Sequence, residues 1–309
     1  MNSNPRPTVA LALGSGSARG WAHIGVIRAL EEAGVHIDMV CGTSIGALVG
    51  AVYAAGELDR FEQWVLGLGL REVAGFLDVG FNGGLLKGER LMAFFAEQYQ
   101  DRPIEALKIP FAAVATSLRT GAEVWLRNGP TLRAVRASIA LPGLFTPAVH
   151  EDELLVDGGL VNPVPVSLAR AMGADVVIAV DLSSDVLGRH LRSPNPPNAP
   201  PAAEREDWLG KLQSRLATLH PLTSTDQPRM PDLLNVVASS INIMQVRIAR
   251  SRMAGDPPDL IISPRLAHFG LYEFHRAKEA IEEGRNATTR MAHNLTMLPG
   301  SGKGSGEIR

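Results

Sequence analysis

The sequence predicts an α/β fold with a mostly parallel central sheet flanked by helices. Short apolar segments alternate with helical patterns through the N-terminal two thirds of the chain, which is typical of βαβ units. The predicted strands are apolar runs, so the sheet is expected to be large and largely buried. A chain of 309 residues that is 45% hydrophobic can supply the core that such a sheet requires.

The elements are predicted in order along the chain. The first strand covers residues 8–13 and is followed by a Gly-rich turn and a helix that ends at Gly34. A second strand covers residues 37–41, and the next helix begins at Ser44. Further strands are predicted at PFAAVATS, EVWLR, LLVDG, VVIAVDL and DLIIS. Further helices are predicted at GERLMAFFAEQY, TLRAVRAS, VPVSLARAMG, EDWLGKLQSRLATLH, LLNVVASSINIMQVRIARSRM and YEFHRAKEAIEEGRNATTRMAHNL.

Charge and cysteine content narrow the class of protein. A net charge of −2 shows no basic excess, so a nucleic-acid partner is not expected. The single cysteine, Cys41, excludes an intrachain disulfide, and the N-terminal residues lack the charged flank and apolar run of a signal peptide. The uncharged residues 39–56 are nearly long enough to cross a bilayer, but their glycines favour a buried strand, turn and helix. We therefore expect a cytoplasmic protein.

The first motif, LGSGSARG, occupies residues 13–20 between the first strand and the first helix. Its glycines at 14, 16 and 20 resemble a dinucleotide fingerprint, in which backbone amides hold a pyrophosphate. The same amides can stabilise an oxyanion, because unpaired N–H groups at the start of a helix attract negative charge. A tight turn without a ligand is the third interpretation.

Two further motifs place polar side chains beside glycines. GTSIG sets Ser44 between a strand and a helix, which is the arrangement that exposes a nucleophilic serine, although a plain helix cap has the same residues. LLVDGGLVNPVP places Asp157 at the end of a strand, where the next two glycines let another side chain approach the carboxylate closely. A surface turn at Asp-Gly-Gly is the alternative.

Together with RASIALPGLFTPAV, the three motifs resemble the patatin-like phospholipase family, in particular its short bacterial members related to the catalytic domain of neuropathy target esterase. The resemblance covers about residues 9–181 and implies a three-layer sandwich that hydrolyses acyl esters: phospholipids, lysophospholipids or simple carboxyl esters. It implies Ser44 as the nucleophile and Asp157 as the base of a dyad that uses no histidine. No cofactor or metal ion is expected.

The resemblance also assigns an oxyanion hole to the first motif, through the amides around Gly16 and Ser17, with Arg19 as the family's basic residue in this loop. Glycines that support the three motifs are Gly14, Gly20, Gly42, Gly46, Gly158 and Gly159. Family members usually carry a run of glycines where this chain has Ser15 and Ser17. A Cβ there restricts φ, so glycine at either position is predicted not to lower the activity.

The resemblance and the composition together divide the chain. Residues 8–192 are predicted to form the patatin-like catalytic core, and residues 193–230 a Pro-rich loop or linker with a short helix. Residues 231–298 are expected to complete the domain with helices and a late strand. Disordered ends are expected at 1–7 and 299–309. The sequence leaves the oligomeric state open, a homo-oligomer included.

Two rival functions are kept. A Ser–His–Asp triad would use His268 or His275, which follow the serine and the acid in the chain order of many esterases. A regulatory protein that binds a nucleotide or phosphate would use the Gly-rich loop. Its fingerprint expects an acid at the end of the second strand, whereas Asp38 precedes that strand and Glu31 and Glu32 belong to the first helix.

An enzyme that acts on acyl lipids must reach its substrate at an interface. Residues 240–253 combine apolar side chains with Arg247, Arg250 and Arg252, so this helix, or the Pro-rich loop before it, is a candidate for transient contact with a membrane surface. A core or dimer-contact helix with its arginines in water is the favoured interpretation, because the apolar positions do not form one clean stripe.

Overall fold

The structure, a computed structural model, describes residues 6–76, 89–98, 101–184 and 233–298. Its eight strands are β1 (Val9–Leu13), β2 (Met39–Thr43), β3 (Phe111–Ser117), β4 (Glu123–Leu126), β5 (Ala148–His150), β6 (Glu153–Asp157), β7 (Val176–Val180) and β8 (Leu260–Ile262). The described α-helices are α1 (Ala22–Glu32), α2 (Ile45–Ala55), α3 (Leu58–Leu66), α4 (Leu70–Phe76), α5 (Glu89–Gln98), α6 (Thr131–Ser138), α7 (Val166–Ala171), α8 (Leu233–Gly255), α9 (Ala277–Arg290) and α10 (Ala292–Thr296).

The strands form one mixed sheet in the order β5-β6-β3-β2-β1-β7-β8, with β4 paired to β3 outside this order. The pairs among β8, β7, β1, β2 and β3 are parallel, while β4, β5 and β6 are antiparallel to their partners. The prediction of an α/β fold with a mostly parallel central sheet is confirmed. In the register of the central pair, Leu13 lies opposite Gly42, so the chain leaves β1 and β2 at the same edge of the sheet.

Both faces of the central strands are buried, which explains why their sequences are apolar without alternation. In β1, Leu11 and Leu13 belong to one core cluster, and Ala10 and Ala12 to a second cluster on the other face. Residues of α1, α2, α6 and α9 belong to the first cluster, and residues of α7 and α8 to the second. The result is a sandwich of helices, sheet and helices.

Two elements near the C-terminal end, β8 and α9, contact the central sheet and α1. β8 pairs with β7, placing Leu260 opposite Ile178. The helices α1 and α9 touch through their backbones: a Cβ on Gly25 would lie 1.9 Å from the Ile281 carbonyl oxygen, and one on Gly284 would lie 2.0 Å from that of Ala22. No side chain can occupy either contact without moving a helix.

Several predicted boundaries differ from the structure. β2 begins and ends two residues later than predicted, at Met39–Thr43, because its register is set by β1 and β3. A 3-10 turn over Ser17–Trp21 precedes α1, and the predicted closing helix is divided into α9 and α10. Three elements, α3, α4 and β5, have no counterpart in the sequence-based prediction. α3 carries the helical spacing Leu58, Phe61 and Val65, all of them buried.

The other expectations concern chain ends and the membrane. The Pro-rich segment 193–230 and the tail 299–309 lie outside the described residues. Arg6, in the segment 1–7, pairs with Asp38 at 2.6 Å. Residues 39–56 form β2 and α2, both buried in the domain. Among the helices described, none has the length and apolar character needed to cross a bilayer.

Candidate active site

Ser44 lies on a sharp turn between β2 and α2, in a strained backbone conformation with φ 58° and ψ −125°. The turn depends on glycine at both flanking positions. A Cβ on Gly42 would lie 2.3 Å from the Gly46 carbonyl oxygen, and one on Gly46 would lie 2.2 Å from that of Leu13. The spacing G-x-S-x-G is therefore required by packing, because neither flanking position has room for a Cβ. The turn places Ser44 at the edge of the sheet.

Ser138 holds this turn from the end of α6. Its hydroxyl accepts a hydrogen bond from the Ser44 amide at 2.8 Å and donates to the Val114 carbonyl oxygen at 2.6 Å. Ser138 is fully buried. The backbone of Ser44 is thereby fixed against β3. Ser138 belongs to the sequence block RASIALPGLFTPAV, which was the only sign of its involvement.

The structure brings Ser44 and Asp157 together. The Ser44 hydroxyl donates to Asp157 Oδ2 at 2.6 Å, and the amide of Gly159 donates to Asp157 Oδ1 at 2.7 Å. A Cβ on Gly158 would lie 2.2 Å from the Val114 carbonyl oxygen, so the acidic turn packs directly on β3. Both carboxylate oxygens thus have a partner.

Burial changes the acidity of Asp157. Its side chain is fully buried, which raises the pKa of the carboxyl from 3.8 to about 6, against the opposing hydrogen bonds from Ser44 and Gly159. A carboxylate with this pKa is ionised at neutral pH and is a better proton acceptor than an exposed aspartate.

The Gly-rich loop, residues 14–20, follows β1 beside the Ser44 turn. The amides of Gly14 and Ser15 donate to carbonyl oxygens, and the Arg19 amide donates to Gly16 O at 3.2 Å. Within the described part of the chain, the amides of Gly16 and Ser17 donate to no protein acceptor. Gly16, Ser17 and Ser44 line one pocket. Those two unpaired amides are the groups that the family resemblance assigns to an oxyanion hole, whereas the Arg19 amide donates within the loop.

Glycines of this loop also lie against their surroundings. A Cβ on Gly14 would lie 2.6 Å from the Val180 carbonyl oxygen, and one on Gly20 would lie 2.2 Å from the Ile45 side chain. Gly16 faces Leu182 in the same way, with a Cβ 2.7 Å from that side chain. Ser17 has a φ of 52°, a conformation that favours glycine.

The pocket around Ser44 is mostly apolar. One wall comes from α2 and α3, with Leu48 and Trp64, and another from the loop after α6, with Leu141 and Leu144. The third wall is α8, which contributes Ile241 and two polar residues discussed below. Such a lining suits a hydrocarbon chain beside the serine.

The rival residues lie elsewhere. His268 pairs with Glu279 at 3.0 Å and is about half exposed, and among the described residues no histidine lines the pocket. Asp38 accepts from Arg6 and from the Val9 amide. The structure therefore brings neither a triad histidine nor a ribose-binding acid to its expected place. In the part of the chain that is described, no cluster of metal-ligating side chains occurs.

The model of the patatin-like phospholipase family matches residues 11–170, which contain all three motifs. The chain belongs to the patatin-like phospholipase family. An uncharacterized NTE family protein of Mycobacterium tuberculosis is 36% identical to this patatin-like chain in an alignment 327 positions long that covers 92% of the chain and 91% of that protein.

Two longer relatives match only in part of their own length. Patatin-like phospholipase domain-containing protein 6 of Homo sapiens is 38% identical over 185 residues, 57% of this chain and 13% of that protein. A lysophospholipase of Pyricularia oryzae is 31% identical over 293 residues, 90% of this chain and 18% of that protein. Among solved structures, VipD from Legionella pneumophila aligns with 93% of this chain and 67% of its own, with a TM-score of 0.45 and 12% identity.

Proposed function

We propose that this patatin-like protein hydrolyses carboxyl esters of fatty acyl groups with Ser44 as the nucleophile and Asp157 as the base. The observation that carries the proposal is the 2.6 Å hydrogen bond from the Ser44 hydroxyl to the buried Asp157 carboxylate, beside an apolar pocket. It needs no histidine, metal ion or cofactor.

In the first half of the reaction, Asp157 accepts the hydroxyl proton as Ser44 Oγ bonds to the ester carbonyl carbon. The tetrahedral intermediate collapses to an acyl-enzyme, and the proton passes from Asp157 to the leaving alcohol oxygen. In the second half, a water molecule gives a proton to Asp157 and attacks the acyl carbon. Collapse then releases the carboxylic acid as the proton returns to Ser44.

The negative oxygen of each tetrahedral intermediate needs hydrogen-bond donors in place before the reaction begins. The unpaired amides of Gly16 and Ser17 support that role, because an N–H group without a protein partner is ready for a ligand. The φ of 52° at Ser17 is an unfavourable backbone conformation for a residue other than glycine. Strained backbone of this kind is typical of functional loops.

The substrate class follows from the apolar walls of the pocket and from the relatives. A fatty acyl chain buries hydrocarbon against Leu48, Trp64 and Leu141, and this burial supplies binding energy without polar recognition. The relative from Pyricularia oryzae is named a lysophospholipase. We therefore place lysophospholipids and phospholipids ahead of short simple esters. Transient contact with a membrane surface remains part of the proposal.

Labelling with a fluorophosphonate probe tests the nucleophile. The wild-type protein is expected to be labelled and to hydrolyse p-nitrophenyl esters, while Ser44→Ala is expected to do neither. Asp157→Asn should fold normally and lose at least about a hundredfold in rate, because no other group accepts the proton. Replacement of His268 and His275 by alanine serves as the control and should leave the rate unchanged. A labelled Ser44→Ala protein, or a hundredfold loss in a histidine variant, would overturn the dyad.

A further inference from the structure

Helix α8 contacts the Gly-rich loop although it lies outside the residues matched by the family model. Two polar side chains of this helix, Asn242 and Gln245, line the pocket beside Ser44. The stretch SINIMQVRI also contains the polar residues Ser240 and Arg247, but Asn242 and Gln245 are the two that line the pocket. Both therefore need an explanation beyond packing.

Gln245 contacts the first and the third of the three motifs. Its Oε1 accepts a hydrogen bond from the Ser15 hydroxyl at 3.2 Å, across 230 residues of sequence. A Cβ on Gly159 would lie 2.5 Å from Gln245 Nε2, so the amide packs on the turn whose N–H holds Asp157. Gln245 is 9% exposed. It joins the loop that supplies the proposed oxyanion donors to the turn that orients the base.

Asn242 reaches the same loop through Arg19. Its Oδ1 accepts from Arg19 Nη2 at 2.9 Å, while Arg19 Nε donates to the carbonyl oxygen of Gly16 at 3.2 Å. Arg19 is 2% exposed, and its two hydrogen bonds connect α8 to the middle of the loop. A buried charged hydrogen bond of this kind restricts the position of both partners.

We propose that Asn242 and Gln245 are positioning residues that hold the Gly-rich loop in the conformation needed for oxyanion stabilisation. The inference rests on the function proposed above and extends it to the C-terminal third of the chain. Ser15, which stands where relatives of this family usually carry glycine, is one of the two attachment points.

The kinetics expected of positioning residues differ from those of substrate contacts. A displaced oxyanion donor stabilises the transition state less, but it does not change the binding of the substrate in the ground state. We therefore expect kcat to fall and KM to stay the same. A shift of about 1 Å in a catalytic group costs up to about a hundredfold, and we expect Asn242→Ala and Gln245→Ala each to lower kcat by about ten- to a hundredfold. Asn242→Asp keeps an acceptor for Arg19 and should restore most of the activity.

The matched control is Met244→Ala, on the same helix. Met244 is 51% exposed and does not line the pocket, so its replacement should leave kcat and KM unchanged. Ser15→Gly removes the hydroxyl that bonds Gln245. If that bond transmits the effect, the double variant Ser15→Gly/Gln245→Ala should be no slower than the slower single variant.

The experiment measures ester hydrolysis and thermal unfolding for all of these variants. Wild-type kcat in Asn242→Ala and Gln245→Ala would refute the proposal, and so would a rise in KM with kcat unchanged. If the losses in kcat of the two single variants add up in the double variant, the hydrogen bond between Ser15 and Gln245 does not transmit the effect. Should Gln245→Ala fail to fold, Ser15→Gly still tests that attachment. Should Asn242→Ala fail to fold, Asn242→Leu, which has a similar size but no acceptor for Arg19, tests the other attachment and should lower kcat in the same way. Retained activity in Ser44→Ala would instead refute the proposed function. In that case, non-additive effects of Ser15→Gly and Gln245→Ala on thermal unfolding would still show that the two side chains are hydrogen-bonded.

Discussion

Replacement of Asp157 by asparagine is expected to abolish hydrolysis and to stabilise the fold at neutral pH. Burial raises the pKa of this carboxyl from 3.8 to about 6, although hydrogen bonds from Ser44 and Gly159 oppose the rise. A folded-state pKa above the unfolded value means that the ionised carboxylate destabilises the fold at pH above 6. At about 1.4 kcal/mol per pKa unit, the shift corresponds to roughly 3 kcal/mol.

Asparagine keeps the shape of the side chain and an acceptor for the Gly159 amide, and it carries no charge. Urea unfolding at pH 8 should therefore give Asp157→Asn a free energy of unfolding about 1–3 kcal/mol above that of the wild type. In a thermal scan this is a rise of roughly 5 °C. The difference should shrink as the pH falls through 6 and disappear below 3.8, where the carboxyl is protonated in both states.

Asp38→Asn is the control with the opposite sign. Although burial opposes it, the hydrogen bonds from Arg6 and the Val9 amide lower the pKa of Asp38, so its carboxylate stabilises the fold above the unfolded pKa and this contribution is lost as the pH falls. Asp38→Asn should therefore be less stable than the wild type at pH 8. If Asp157→Asn is no more stable than the wild type at pH 8, or if its advantage does not change with pH, the desolvation argument is wrong.

Four further outcomes are expected. The kcat/KM for a neutral ester should fall about tenfold per pH unit below a pKa near 6, the value for Asp157; a profile that stays level to pH 5 would contradict the role of this base. Ser138→Ala, which leaves the Ser44 amide without its partner, should lower the rate of fluorophosphonate labelling by about tenfold and the stability by about 1–3 kcal/mol. Gly284→Ala should cost at least about 1–3 kcal/mol in urea unfolding, whereas Gly255→Ala, with open space around its Cβ, should cost nothing. Finally, co-sedimentation with anionic liposomes, if it occurs, should weaken with salt and when the three arginines of residues 240–253 are replaced by glutamine; binding that ignores both changes would remove α8 from the contact.

The sequence predicted those features that depend on neighbours in the chain. β1 and the Gly-rich turn follow from an apolar run and glycine spacing. The juxtaposition of Ser44 and Asp157 rested on the family resemblance, because 113 residues separate them. Their catalytic roles remain predictions until the labelling experiment is done.

Contacts between distant segments could not be predicted. The bond of Ser138 to the Ser44 amide spans 94 residues, and that of Ser15 to Gln245 spans 230. α8 lacks a clean apolar stripe because Ile241 and Val246 are buried while Ile243 and Met244 are exposed. These contacts also change one expectation. Glycine at position 15 removes the hydroxyl that donates to Gln245, so Ser15→Gly is now expected to lower the rate of ester hydrolysis.

The contacts of Ser17 also change the expectation for glycine at that position. Its φ of 52° would suit glycine, but its hydroxyl donates to the Leu271 carbonyl oxygen at 2.5 Å, and the Ala18 amide donates to the same oxygen at 3.2 Å. Two hydrogen bonds from the loop to Leu271 therefore stabilise the strained backbone conformation of Ser17. Glycine relieves the strain and removes one of those bonds, so the two effects oppose each other at this position.

The buried imidazole of His23 and the carboxyl of Asp157 titrate in the same pH range with opposite effects on stability. Burial lowers the pKa of His23 from 6.5 to about 4, although the hydrogen bond to the Gly14 carbonyl oxygen opposes this, and Nδ1 has no partner among the described residues. A protonated ring would bury an unpaired N–H, so His23 costs stability as the pH falls below 6.5, up to roughly 3 kcal/mol near pH 4. Protonation of Asp157 removes a buried charge as the pH falls, so it raises the free energy of unfolding by a similar amount over nearly the same pH range. Asp157→Asn removes only the second contribution, and its free energy of unfolding should therefore fall more steeply than that of the wild type between pH 6 and pH 4. Equal slopes for the two proteins would mean that Asp157 does not titrate as its surroundings require, because His23 is present in both proteins.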